Sequence, residues 1–533
     1  MPCRRIVSPE LAGKKNCLSD TIIHKCFGDF KAANFRCDEE FIRRFVAAMM
    51  AKRFIILTGL AGSGKTKLAQ AFARWISPVV TNPDPFTRGA RIGNSYRVMD
   101  SDRIAVEFWN EKDEKVVLPR RLIEEWAEFL VTNPSLADTP SKEVREKFLV
   151  GYETRQDSKF AKHAIFWDGH LKPAALALIE ARKSVSRPCR CYEIVSVGAD
   201  WTSSEHVLGY PDGLDKNRYI RTKALDLILR AVTEPDLPHF LILDEMNLSH
   251  VERYFADLLS AIESGEPVHL HGDKDTGGAP TLRDGVPGEL RLPSNLFTVG
   301  TVNVDETTYM FSPKVLDRAN VLEFRISGSE LKEFLENPAA VDFGKLDAAG
   351  AVHGKRLTAL AQQSSRLLDA ERKQFEAELC LFFEALQAAN AEFGFRVAKE
   401  GASFVHFHKL LSGTGWEFKE AMDAQILQKL LPKLHGSRNV LEPVLCTLAT
   451  LCFAKRTWEL DDEGKEFAYL KGLRVEAAKA TRMEDESLDP LGLTPEGKRT
   501  YPTAEACYRL SFEKITRMLE RLRANGFTSF AEA

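Results

Sequence analysis

No apolar run in this 533-residue chain approaches the length needed to cross a bilayer, which sets aside a membrane-spanning class. The N-terminal stretch MPCRRIVSPELAGKKNC is basic but has no apolar h-region, so no secretory leader is expected and a cytoplasmic location is the default. Net charge is nearly absent as well: 73 Lys and Arg stand against 76 Asp and Glu, a formal −3. Such a chain has no global field to draw it onto nucleic acid, so any DNA contact must come from a local patch or a pore. Metal-ligand spacing is also missing. Of ten cysteines, Cys3, Cys17, Cys26 and Cys37 fall early, with His24 nearby, yet form neither a C-x2-C nor an H-x3-H pattern. Cys189 and Cys191 make a C-x-C pair beside an apolar run. Reduced, structural thiols are the reading for all of them. Internal repeats and low-complexity tracts are lacking too.

What is present is ordinary in bulk and specific in detail. Hydrophobic content of 44%, charged content of 28% and a mean hydropathy of −0.23 fit a globular chain, and this length predicts about two to four domains. The specific feature is Gly59-Leu60-Ala61-Gly62-Ser63-Gly64-Lys65-Thr66, which completes the pattern G-x-x-x-x-G-K-[ST]. Phe54 to Thr58 ahead of it is a short apolar run, the mark of a buried strand. Lys67 to Ile76 behind it is apolar at helical spacing. That strand-loop-helix setting is the one in which the pattern cradles phosphates. Its glycines let successive N–H groups face phosphate oxygens, and the helix N-terminus adds positive potential. Lys65 would reach the β- and γ-phosphates, and Thr66 would ligate Mg²⁺. Residues Gly59 to Thr66 and Lys67 are the expected nucleotide-binding set.

A second apolar strand, His239 to Leu243, ends in Asp244 and Glu245. Asp244 is expected in the Mg²⁺ shell with Thr66, and Glu245 is placed to polarise an attacking water. About 180 residues separate Lys65 from Asp244, whereas a strand-helix-strand crossover needs only some tens of residues. Something is inserted. Residues 85–190 hold strand candidates at Tyr96–Met99 and Ile104–Trp109 and helix candidates at Arg121–Leu130 and Lys172–Ala181. Arg88, Arg91, Arg97, Arg103, Arg120 and Arg121 are interleaved there with Tyr96, Phe108 and Trp109, a mix suited to phosphate contact and stacking. Nearby acids almost cancel that charge, so a protein-docking or purely structural module stays open. A third strand, Leu296 to Asn303, follows a Gly/Pro-rich stretch, 271–293, with the composition of a loop or hairpin. Upstream, residues 1–37 read as an irregular arm, and Asp38 as the cap of a helix. Downstream the chain reads as helical, with one long amphipathic helix over Leu357–Asn390 and others at Gln425–Leu431, Val440–Phe453 and Ser511–Leu522. No nuclease site is found: Glu463-Gly464-Lys465 has acids too close to it, and Ser511-Phe512-Glu513-Lys514 mimics a hydrolase S-x-x-K only by coincidence.

Three motifs in order, GLAGSGKT, LILDEMN and VGTVNVDETT, resemble the AAA+ ATPase superfamily. More narrowly they resemble its McrB-like branch, the motor subunits of modified-cytosine restriction systems, which is related to MoxR and dynein-like motors. Asp244-Glu245-Met246-Asn247 matches D-E-I-N, and Val302-Asn303-Val304-Asp305-Glu306 matches M-N-T-A-D. Ser312 to Ala319 is similar to the helix that carries the arginine finger; Asp200-Trp201-Thr202 and Leu208-Gly209-Tyr210 also fit the branch. The resemblance covers roughly 38–80 and 190–455 and leaves the insert out.

The resemblance implies an α/β fold: an AAA+ P-loop NTPase core, a parallel sheet flanked by helices, with a helical lid and an inserted α+β module. The expected layout is an arm (1–37), the core in two parts (38–84 and 191–328) around the insert (85–190), a lid (329–455) and a helical extension (456–533). By resemblance, Asn303 would sense the γ-phosphate, Arg318 would be a finger in a neighbouring copy's site, and Arg396 would be the lid's sensor arginine. A finger supplied in trans implies a ring, a hexamer by family habit, with a nuclease as a separate subunit and DNA as the substrate. The alternative from the same motifs is a MoxR-like remodeller of protein partners. Glu306, Thr307, Thr308 and Leu248 stand where the McrB pattern has Asp, Arg, Ser and Arg, so a GTP preference does not carry over and ATP is the expected fuel.

Overall fold

The computed structural model describes residues 19–80, segments between 85 and 188, and then 190–273, 281–304, 311–453 and 506–531, apart from 216, 388–389 and 414. Two compact units result: 79–189, and the remainder of the chain. In the larger unit five strands form one parallel sheet: β1 (Phe54–Gly59), β2 (Tyr192–Ser196), β3 (His239–Asp244), β4 (Leu296–Asn303) and β5 (Asn320–Glu323). Their spatial order is β5-β1-β4-β3-β2. β1, β3 and β4 lie in the interior of the sheet and are buried and largely apolar because both faces are covered by helices. The chain leaves β1 for the far edge and later returns past it to β5, so the loop after β1 lies at the point where strand order reverses. Ligands of open α/β sheets bind at that crevice, outside the carboxyl ends of the strands. This is an α/β P-loop core.

Helices cover both faces. α1 (Ser19–Ala32) and α2 (Glu39–Ala51) precede β1; α3 (Lys65–Ile76) follows it; α4 (Lys223–Thr233) precedes β3, and α5 (Ala256–Ser264) follows it. The Asp38 side chain accepts from Phe41 N at 2.5 Å, the expected cap of α2. The expectation of an irregular arm fails over 19–32: Ile22, Ile23, Cys26 and Phe30 recur on one face and are buried. Polar residues around them dilute that signal in the sequence.

The C-terminal half is helical: α6 (Asp369–Gln387), α7 (Phe395–Ser412), α8 (Phe418–Gln425), α9 (Arg438–Phe453) and α10 (Arg509–Asn525). The single long helix expected over 357–390 is broken. Gly354–Ala361 stops at a polar run, and the chain resumes helix only at Asp369. Within the break Ser365 bonds Ser403, so hydroxyls that weaken a helix are used in tertiary contacts. α7 packs along α2, and α10 packs on α9. His435–Ser437 pairs antiparallel with Phe527–Ser529 and ties the C-terminus back to the helical half. The glutamate-glycine-lysine triplet at 463–465 lies outside the described residues.

The smaller unit has its own core around Val98, Val106, Leu118 and Trp126. A four-stranded antiparallel meander runs through Arg91–Ile92, Tyr96–Ser101, Ala105–Asn110 and Lys115–Pro119, with a helix at Lys172–Lys183. Its register sets Arg91, Arg97, Trp109 and Lys115 in one row across the sheet.

Candidate active site

The phosphate-binding pattern runs from Gly59, the last residue of β1, through the loop 60–64 to Lys65 and Thr66, the first residues of α3. Gly62 and Gly64 take φ of 75° and 104°, a left-handed geometry open to glycine and strained for other residues. Gly59, at φ 152°, has no room for a side chain: a Cβ there would lie 2.3 Å from the Phe324 carbonyl oxygen at the end of β5. Gly64 caps α3 without a side-chain partner, so the first N–H groups of the helix point at the loop. Leu60, Ala61 and Gly62 are exposed along the mouth, and Lys67 is exposed on the first turn. Lys65 is buried; its Nζ donates to the carbonyls of Gly59 at 2.8 Å and Leu60 at 2.6 Å.

The carboxyl ends of β3 and β4 complete the cluster. Thr66 Oγ1 donates to Asp244 Oδ1 at 2.5 Å. Thr301 Oγ1 donates to the same oxygen at 2.8 Å and accepts from Glu245 N at 3.1 Å. Asn303 Nδ2 donates to Glu245 Oε1 at 3.2 Å, while Asn247 Nδ2 donates to the Asn303 carbonyl at 3.2 Å. Glu245 holds φ 54° and ψ 50°, left-handed backbone on a residue with a full side chain. Strain of that kind persists where surrounding structure imposes it, and it clusters at working sites. Close packing beneath is visible at Gly300, where a Cβ would lie 2.4 Å from Met246 Sδ. Lys65, Thr66, Asp244, Glu245 and Asn303 thus meet at one end of one sheet. Two hard oxygen donors, a hydroxyl and a carboxylate 2.5 Å apart, suit a divalent cation shared with phosphates.

A family profile described as a domain of unknown function (DUF8727) matches residues 351–527. It takes in the helices from α6 to α10 and stops short of the sheet. No curated protein sequence matches the chain. Among solved structures the chain is similar to a "putative ATPase" from Cytophaga hutchinsonii, at 11% identity and a TM-score of 0.37, over 78% of this chain and 88% of that one.

The two arginines singled out in the sequence lie together. Arg318, in the turn after the one-turn helix Pro313–Leu316, sets its Nε 2.7 Å from Glu263 Oε2. Arg396, in the first turn of α7, ion-pairs Glu263 Oε1 at 2.6 Å without hydrogen-bond alignment. The expected lid sensor and the expected finger are therefore joined through one carboxylate at the end of α5.

Sequence reasoning passed over Thr301, Glu263 and a cationic group at the end of β5. There Glu323, register partner of Thr58, pairs with Lys514 at 3.1 Å, Arg517 at 2.6 Å and Arg325 at 3.3 Å. Lys514 is buried, and desolvation pulls its pKa down to about 8 against the pull of Glu323. Thr301 carried a weak signal, since it shares strand parity with Asn303 in β4. Glu263 and Glu323 carried none, because Arg318 and Arg396 for the first, and Lys514 and Arg517 for the second, lie far away in the sequence.

Proposed function

We propose that the chain is an ATP hydrolase of the AAA+ type that works as a ring of identical copies. The reading rests on one observation: the Thr66 hydroxyl bonds Asp244, and the Asn303 amide bonds Glu245, at the switch point of a parallel sheet. Phosphoryl transfer asks little covalent chemistry of a protein; it asks for positioning and for charge opposite the γ-phosphoryl oxygens. Lys65 would exchange the Gly59 and Leu60 carbonyls for phosphate oxygens, with the loop N–H groups beside it. Mg²⁺, when bound at Thr66 and Asp244, would neutralise charge developing between the β- and γ-phosphates. Glu245 would accept a hydrogen bond from the attacking water, with its carboxylate fixed by the Asn303 amide. Arg318 would leave Glu263 to reach the next copy's phosphates, accompanied by Arg396, which shares that carboxylate.

We assign the ring to McrB-like work on DNA, as a hexamer partnered by a separately encoded nuclease. The motif resemblance supports this, as does the row Arg91, Arg97, Trp109 and Lys115, residue types that contact phosphate and stack on bases. Purified protein should hydrolyse ATP in preference to GTP, with specific activity rising as protein concentration rises through assembly. Glu245→Gln should cut turnover by about a hundredfold or more while retaining bound nucleotide, the scale seen when a positioned general base is lost. Full turnover in Glu245→Gln removes this residue from its role. Stimulation by DNA supports the restriction-type motor; indifference to DNA with stimulation by a protein client supports the remodeller of the MoxR kind.

A further inference from the structure

Arg318 lies in a short turn, and its backbone is held from an unexpected side. The carbonyls on either side of it, Asp317 O and Ala319 O, both accept from Lys429 Nζ, at 2.9 and 2.8 Å. Lys429 belongs to the helical half of the chain. It stands in a π-helical turn, Ile426–Leu430, which continues α8 and passes into the 3-10 turn Leu431–Lys433. A π turn inserts an extra residue per turn and so re-aims side chains; such turns recur at functional sites. Only 1% of the Lys429 side chain is exposed, and its ammonium also ion-pairs Glu400 Oε2 of α7 at 2.8 Å. Lys52, the residue after α2, is paired to the other oxygen of Glu400. One turn on, Lys433 pairs with Asp317 Oδ1 at 2.6 Å.

The Lys429 ammonium thus donates to both carbonyls flanking Arg318 and, without hydrogen-bond alignment, ion-pairs a carboxylate on the helix whose first turn carries Arg396. A buried charge of this kind is a poor way to gain stability, since apolar side chains of similar volume serve as well. Desolvation pulls the lysine down to about 8 even against Glu400. What the arrangement does supply is geometry.

We infer that Lys429 is a positioning residue for Arg318, a clamp through which the helical half sets where that guanidinium reaches in the neighbouring copy. The inference rests on the trans role given to Arg318 above. Lys429 holds the backbone on either side of Arg318, so its effect must appear in the site of the next subunit. A misplacement near 1 Å can cost about a hundredfold in rate, enough for a clear readout.

The test mixes two inactive full-length proteins. Arg318→Ala subunits lack the finger but keep Glu245; Glu245→Gln subunits keep the finger but lack the acid. Mixed rings should recover hydrolysis at seams where a Glu245→Gln subunit donates its finger to an Arg318→Ala subunit. Lys429→Met is then placed on the donor or on the acceptor. Placed on the donor it should lower the recovered rate at least fivefold; on the acceptor it should change the rate less than twofold. Equal loss in both placements, or no loss in either, overturns the clamp, because a general structural defect does not distinguish them. Lys429→Arg on the donor should restore part of the rate, and Lys429→Gln takes the place of Lys429→Met if the latter does not fold. Failure of the two parent variants to complement at all would instead defeat the shared-seam reading.

Discussion

A single hydroxyl organises the acidic end of the candidate site. Thr301 Oγ1 donates a hydrogen bond to Asp244 Oδ1 and accepts one from the N–H of Glu245, so it fixes the two acids relative to each other. Without it the Glu245 amide would lose its partner, and left-handed backbone at Glu245 would lose part of what holds it. Hydrogen bonds to charged groups are worth about 1.5–3 kcal/mol, so Thr301→Val should slow hydrolysis by roughly ten- to a hundredfold. Nucleotide affinity should change little, because the loop N–H groups and Lys65 remain. Thr301→Ser keeps the hydroxyl and should retain most of the rate. Steady-state kinetics with a separate measurement of nucleotide binding checks this; equal losses in affinity and rate would mean that Thr301 supports the fold of the loop rather than the acids.

At the scale of elements, the C-terminal helix is fastened by one carboxylate. Asp423 of α8 accepts from Leu510 N at 2.8 Å, Ser511 N at 2.9 Å and Ser511 Oγ at 2.6 Å, and so caps α10 from another helix. Asp423→Ala leaves buried N–H donors unmet, at a cost on the order of 2 kcal/mol, and should lower Tm by several degrees. Amide hydrogen exchange should quicken along α10 and the paired strand Phe527–Ser529 before it quickens in β1 or β4. Exchange that rises uniformly would show that α10 is not a separately fastened element. Ser511 and Lys514, set aside as a coincidental S-x-x-K, have structural partners that the sequence does not show. Their spacing imitates a catalytic pair, yet the first is taken up by Asp423 and the second by Glu323, residues 88 and 191 positions away. β1, β3 and β4, by contrast, were legible because strands buried on both faces are written as continuous apolar runs, and their polar ends are written next to them. The loop glycines were legible for a similar local reason: left-handed backbone and a missing Cβ are properties of one position. α1 and the break at 362–368 were not, since each depends on which distant surface is offered to a mixed polar and apolar segment. The clamp on Arg318 depends on three elements that meet only after folding.

For the molecule as a whole, the buried titratable groups predict an unusual acid limb of stability. Asp423 is buried, and desolvation raises its pKa to about 6 in spite of three donors. The folded protein therefore binds this proton more tightly than the unfolded chain between about 4 and 6, so acidification through that window adds stability. His408 works the other way. Burial, with Arg43 and Arg44 nearby, lowers it to about 3, so the unfolded chain takes up the proton first and stability falls as pH drops from about 6.5. The two slopes oppose each other over the same range. Replacing the acid by a neutral isostere removes only one of them, and Asp423→Asn should lose stability more steeply than the parent protein between pH 6.5 and 4. Urea midpoints at a series of pH values, compared between the two proteins, check the sign directly. If Asp423→Asn instead shows the shallower acid limb, then Asp423 is ionised in the fold well below pH 6, and its three donors outweigh the cost of burying it.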